Sequence, residues 1–258
     1  MGVLRFDGVN DRLKWTTLAT ALANVSDGAW TLAVVLKRAA TLSFDGHCYL
    51  LSGTDNGTTE AGVSFSNIDL LIADISGVSG CVTVSSFTNT ASPYMFVMSK
   101  TAGNVFPRVG WKLGSGGAWT HEDFTVGTVP DQIAATMLEI GAWQTGDPLN
   151  AWVGVVAWWE GAMSDANKEL LDNNWRTSDL WTSAHGQPLF LAELNVAGAS
   201  VIDLAGNATV LTATETTLDA GETLDSWNFD GTGVGTVQFM VAAMELTGSG
   251  GMIGREYV

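Results

Sequence analysis

The sequence predicts an all-β protein: a two-sheet antiparallel jelly-roll sandwich with one short helix and a β-rich C-terminal arm. Three observations predict it. Short runs rich in Val, Ile, Leu, Thr and aromatic residues recur along the chain and stop at Gly, Asn and Ser clusters, the punctuation of a sandwich or jelly roll. Clear helical periodicity is confined to one segment. Eleven tryptophans sit in a chain of 258 residues of which only 15% are charged. Trp buries more apolar area than any other side chain while keeping one N–H for a polar partner. Eleven exceed the ordinary needs of one core of this size, so surplus aromatic surface is expected, built for contact with sugar or protein.

The elements follow in order. Leu4 to Trp15 reads as a strand, a Gly-centred turn and a second strand. Trp30-Thr-Leu-Ala-Val-Val-Leu-Lys37 is nearly continuously apolar, as a strand covered on both faces would be. Cys48-Tyr-Leu-Leu-Ser52 is a strand stopped by the turn cluster Gly53-Thr-Asp-Asn-Gly57. Gly62–Ser66, Asp69–Ile75 and Cys81–Ser85 come at short intervals, with period-two alternation at Val63/Phe65 and Val82/Val84. Tyr94–Ser99, Pro107–Leu113, Met137–Trp143 and Ala151–Trp159 complete the series. Ser164 then offers an N-cap, Asp165 suits the first turn, and Ala166, Leu170, Leu171 and Trp175 form a helical stripe. A weaker stripe passes through Leu180 and Trp181. From residue 187 the texture changes: Ala and Thr rise, aromatic rings thin out, and Asp203-Leu-Ala-Gly-Asn207 makes a tight turn. The expected division is a main domain over 1–183 and an arm or small β-unit over 187–258, with residues 209–214 and 237–246 strand-like.

Bulk properties exclude several functions. The net charge is −16 with a pI near 4.2, which opposes nucleic-acid binding, because phosphate contacts need clustered Lys and Arg. It equally opposes anionic membrane surfaces. No run approaches the roughly 20 apolar residues of a membrane span. The opening residues read as a strand rather than a signal peptide, so the protein is expected in the cytoplasm or carried out inside an assembled particle. Cys48 and Cys81, the two cysteines, read as buried thiols, with a disulfide between them as the lesser alternative.

Catalytic patterns are missing. His47, His121 and His185 have no metal-ligand spacing. His121 beside Glu122-Asp123 could make a small acidic site, with a solvated loop as the stronger reading. Gly114-Ser-Gly-Gly117 has no following Lys and is no phosphate cradle. Glu139 and Glu160 each stand alone and read as solvated strand-edge carboxylates. The aromatic rings remain as a lead. Trp111, Trp119, Trp143 and Trp152 fall near loops and strand ends, where exposed rings stack on sugar faces. The competing reading puts Trp30, Trp152 and Trp158 in the core and uses Trp175 and Trp181 to pin the helix.

Leu4-Arg-Phe-Asp-Gly-Val-Asn-Asp-Arg-Leu13, Trp30–Leu36, Ile140–Trp143 and Trp152–Ala166 together resemble, in order and spacing, the framework strands of concanavalin A-like, laminin-G-like jelly rolls. The resemblance spans roughly residues 3–175. Glycoside hydrolases on that fold carry acidic residues as Glu-x-Asp-x-x-Glu along one strand, and this sequence has no such segment. The resemblance instead implies a rim calcium site as the one cofactor to consider, with Asp7, Asp11, Asp45 and Asp55 (beside Asn56) as oxygen ligands. Val201–Asn207, Thr212–Thr214 and Trp227 also resemble the segment that follows such jelly rolls in virion proteins of tailed bacteriophages, either minor tail or head-surface proteins. That implies a non-enzymatic virion protein whose partners are other virion proteins or its own copies. Host-surface glycan would meet Trp111, Trp119 or Trp143. The alternative is a free carbohydrate-binding module that uses those rings alone.

Overall fold

The computed structural model describes residues 2–19, 29–40, 48–54, 60–65, 69–75, 78–103, 106–114, 117–125, 137–142, 148–171, 186–196, 198–224 and 227. The strands are β1 (Gly2–Asp7), β2 (Arg12–Leu18), β3 (Trp30–Arg38), β4 (Cys48–Thr54), β5 (Glu60–Phe65), β6 (Leu70–Ile75), β7 (Val78–Ser86), β8 (Tyr94–Lys100), β9 (Arg108–Leu113), β10 (Thr120–Asp123), β11 (Met137–Ile140) and β12 (Asn150–Glu160). After the helix α1 (Asp165–Leu170) come β13 (Phe190–Glu193), β14 (Ala208–Thr214) and β15 (Thr217–Thr223). They form an antiparallel two-sheet jelly-roll sandwich. One sheet runs β10-β9-β8-β3-β12-β1-β15, with β13 beside the second half of β12; the other runs β14-β2-β11-β4-β5-β6-β7.

Alternation along the strands builds the core between the sheets. Leu32, Val34 and Leu36 of β3, Phe96 and Met98 of β8, and Leu138 and Ile140 of β11 all point into it. Aromatic rings pack edge to face there, the arrangement that ring quadrupoles favour. Phe87 meets Phe96 at 4.9 Å and Trp111 at 5.4 Å. Trp15 of β2 meets Phe190 of β13 at 5.1 Å, joining the two sheets.

The first sheet is covered on its other face too, as the unbroken apolar run at 30–37 predicts. Ala33, Val35, Met95, Val97, Val155, Ala157 and Trp159 form a second apolar layer, sealed by Met163, Leu171, Leu224 and Trp227. Gly154 makes this geometry possible. The β3–β12 register shifts between Val153 and Val155. The extra residue turns Val153 inward and Val155 outward, since a one-residue slip changes the face of everything that follows. A side chain at Gly154 would also collide with Leu224.

Residues beyond the expected 183/187 boundary correct the picture of a separate arm. β13 pairs with β12, β14 with β2, and β15 with β1, so residues 190–223 belong to both sheets of the same sandwich. Without them β1 and β2 would be bare edges facing solvent. Residues 228–258 lie outside the described residues. The cysteines stand on β4 and β7, three strands apart in one sheet. That spacing is about 14 Å, beyond disulfide reach. The helix is shorter and differently faced than its stripe suggests. Ser164 caps it as expected, its Oγ accepting from Asn167 N at 3.3 Å. Ala166 and Leu170 are exposed, however, while Lys168 and Leu171 are buried. Trp175, Leu180 and Trp181 lie outside the described residues.

Candidate functional site

None of the eight tryptophans among the described residues is exposed; Trp15, Trp30, Trp158, Trp159 and Trp227 are buried and Trp111, Trp119 and Trp152 are half-buried. Trp111 of β9 packs its ring on Phe87 and Tyr94 at the margin of the core, which takes it from the expected sugar-facing set. Trp119 lies over the outer apolar layer and stacks on His121, ring centres 5.9 Å apart and nearly parallel at 11°. Trp143 lies outside the described residues. Trp152 is neither core nor open. Arg5 and Lys37 sit over its ring at 4.8 and 5.4 Å, and its Nε1 donates to Asp219 at 2.8 Å. That bond holds the Asp219 carboxyl below the usual carboxylate range and ties β15 to β12.

Two of the four predicted calcium ligands come together. Asp7 and Asp11 end the turn between β1 and β2. Asp7 Oδ1 accepts from Val9 N at 2.7 Å, and Asp11 Oδ2 accepts from Asp7 N at 2.7 Å. Both carboxylates are therefore spent at least in part on the turn, the ordinary use of Asp before Gly. Asp11 is buried, and its Oδ1 has no hydrogen-bond partner among the described residues. Burial pushes its carboxyl up to about 6, with Asp7 and Glu215 nearby adding to the rise. Asp45, Asp55 and Asn56 lie outside the described residues. Among the described residues no group of three or more His, Cys, Asp or Glu side chains could hold a metal.

A charged cluster fastens α1 to the outer face of β9 and β10. Arg108 donates to Asp165 (Nη2 to Oδ2, 2.7 Å) and Asp123 (2.9 Å). Lys168, fully buried, donates to Arg108 O at 3.1 Å and Asp165 at 3.2 Å. His121 Nε2 lies 2.9 Å from Glu169 Oε1, and a side chain at Gly110 would strike the imidazole at 2.7 Å. Hydrogen bonds from Arg108 lower Asp165, and desolvation lowers Lys168. His121 is thus no solvated loop residue. The signal in the sequence was Asp165, Lys168 and Glu169 at helical spacing opposite the run His121-Glu122-Asp123. Arg108, Lys168, Asp123 and Asp165 each have an opposite charge within reach, which fits a fastening rather than a reactive centre.

Glu139 also departs from its expected place. β11 lies between β2 and β4, so Glu139 is no edge residue. It is fully buried on the face away from the core, 3.8 Å from Lys14 and 3.9 Å from Arg12. Glu160 is exposed as expected.

The C-terminal side of the sandwich has a different character. β14 and β15 are joined by a two-residue turn and form the outermost strands of the two sheets on the same side. Of nine exposed large apolar residues among those described, Val196, Ile202, Leu204, Val210 and Leu218 lie on this segment. β14 reads Ala-Thr-Val-Leu-Thr-Ala-Thr, with no charge. Its start is plugged: Asp203 accepts from Leu191, Ala205, Asn207 and Ala208 N–H at 2.7–3.0 Å. Beyond Ala208, β14 pairs with β2 alone among the described residues. Val210 holds φ 57° there, a genuine outlier for a β-branched residue.

No family model and no curated protein matches the chain. Among solved structures it is similar to a heptameric SAP-like pentraxin from Limulus polyphemus, with TM-score 0.44 and 11% identity over 83% of this chain and 93% of that one. It is similar to a Trypanosoma rangeli sialidase in complex with 2,3-difluoro-KDN, with TM-score 0.46 and 14% identity over 72% of this chain. It is also similar to a receptor binding domain, with TM-score 0.48 and 9% identity over 69% of this chain. The chain spans 28% of that sialidase and 46% of that receptor-binding chain. The likeness concerns the β-sandwich fold alone.

Proposed function

We propose that the protein is a non-enzymatic virion structural protein of a tailed bacteriophage, a minor tail or capsid-decorating jelly roll. It docks through its C-terminal side on other virion proteins or on its own copies, leaving the opposite rim toward solvent and host-surface glycan. One observation carries the docking role. An uncharged outermost strand and five of the nine exposed large apolar residues among those described share the segment 196–218. Exposed apolar surface and open strand edges are what proteins bury in contacts. The virion assignment rests on the resemblance of Val201–Asn207, Thr212–Thr214 and Trp227 to the segment that follows such jelly rolls in those proteins. The aromatic rings support the free carbohydrate-binding module less well, because Trp111 is spent on packing.

Density-gradient purification of particles from the producing culture, followed by mass spectrometry, tests the proposal. The protein is expected to co-sediment with particles in fixed stoichiometry. Its recovery only as a soluble monomer, with polysaccharide binding abolished by Trp119→Ala, would replace this reading by the carbohydrate-binding module.

A further inference from the structure

We propose that the open edge of β14 receives residues 237–246 of a second copy of this chain as an added strand. The inference rests on the docking role given to this side and names its occupant.

The run Val-Gln-Phe-Met-Val-Ala-Ala-Met-Glu-Leu at 237–246 has eight apolar residues and a single charge, Glu245. Ten residues match the length of a strand. Runs of this composition need a partner in water. The molecule carries −16, so most surfaces of two copies repel. The uncharged β14 and this nearly uncharged run can meet without that penalty. β15, the other outermost strand on this side, is a poorer acceptor. The Asp219 carboxylate already takes the N–H groups of Gly221 and Glu222, at 2.7 and 3.4 Å.

The position of Trp227 favours the segment of a second copy over the chain's own. Trp227 lies against Gly154 of β12, on the outer face of the first sheet and two strands in from its β15 edge. To reach the β14 edge the chain must cross about 10 Å of strands and descend about 10 Å to the second sheet, beyond the thickness of the outer layer. Residues 228–236 span at most about 30 Å when fully extended. They include Gly231, Gly233 and Gly235, and a flexible linker of that length averages about 17 Å. Docking on the chain's own edge would stretch the linker past that average. Docking on a neighbour leaves it slack.

Two full-length variants and their mixture test this by light scattering after size exclusion. Val210→Lys/Thr212→Lys places two charges on the exposed edge; Phe239→Asp/Val241→Pro disables the donor. Wild type is expected to form oligomers and each variant to be monomeric. An equimolar mixture is expected to yield heterodimers and nothing larger, because only one donor and one acceptor remain. A monomeric wild type overturns the proposal. Oligomers that survive the donor variant but not the edge variant overturn the occupant and keep the docking edge. Oligomers that survive the edge variant overturn both.

Discussion

The two sides of the sandwich solve the same problem in different ways. On one side the outermost strands are β10 and β7. β10 is four residues long and reads Thr-His-Glu-Asp, and short charged edges repel further pairing. Glu122 of β10 also crosses to the other sheet, taking Ser85 N of β7 at 3.1 Å and Ser85 Oγ at 2.5 Å. On the other side β14 and β15 are seven residues each, and β14 has no charge. β7 is likewise uncharged and nine residues long, so it is the Glu122 tie that closes the first side, while the second gathers five of the nine exposed large apolar residues among those described. Exposure of a strand edge is therefore set residue by residue.

The largest expected break of that contrast is Trp227→Ala. Trp227 is buried against Gly154 and donates to Glu222 at 3.0 Å, so its loss opens a cavity over β12 and releases Glu222 of β15. A loss of about 3–4 kcal/mol is expected, read in a urea unfolding curve, with amide exchange rising first in β15.

The pH dependence of the same side ranks next. The Asp11 turn is joined to the β14–β15 turn by Asn10 Nδ2 donating to Glu215 Oε2 at 2.8 Å. Asp11 has its carboxyl raised by burial to about 6, from an ordinary 3.8. The folded state therefore binds the proton more tightly than the unfolded state. Stability is fully favoured below the unfolded value and falls as pH rises through about 6. The loss is up to about 3 kcal/mol. Thermal melts between pH 4.5 and 7.5 should show it, and Asp11→Asn should flatten that part of the profile. A flat wild-type profile would remove the buried carboxyl from the account.

The smallest effect is expected on the finished side. Glu122→Ala removes two hydrogen bonds to Ser85 at a half-exposed site, for about 1–2 kcal/mol. If edge charge is what keeps that side apart, this variant should also associate more strongly at high concentration, as light scattering would reveal.

Much of the fold was legible because alternation is local. Leu32, Val34 and Leu36 face inward and Ala33 and Val35 outward, so an unbroken apolar run could only mean two covered faces. The tight turn at Asp203–Asn207 was equally plain, since Asp and Gly announce it. The membership of residues 190–223 was not legible. Composition shifts at residue 187, but strand partners are set by tertiary contacts that a change in Ala and Thr content does not report. The helix stripe failed for a related reason. Lys168 is buried beneath Arg108 of β9 and beside Asp165 of its own helix, and no apolar periodicity within the helix reveals the β9 partner. Trp111 misled because a ring near a strand end looks alike whether its neighbour is solvent or Phe87.

The carboxylate of Asp203 reaches Leu191 N in the first sheet and Ala208 N in the second. Those two amides share one acceptor residue, so neither can open without disturbing the other. The layers are coupled at this point into one cooperative unit. Leu191 and Ala208 should exchange with solvent deuterium at matched rates, and pulling on the chain from its C-terminal end should load both layers together instead of peeling one away.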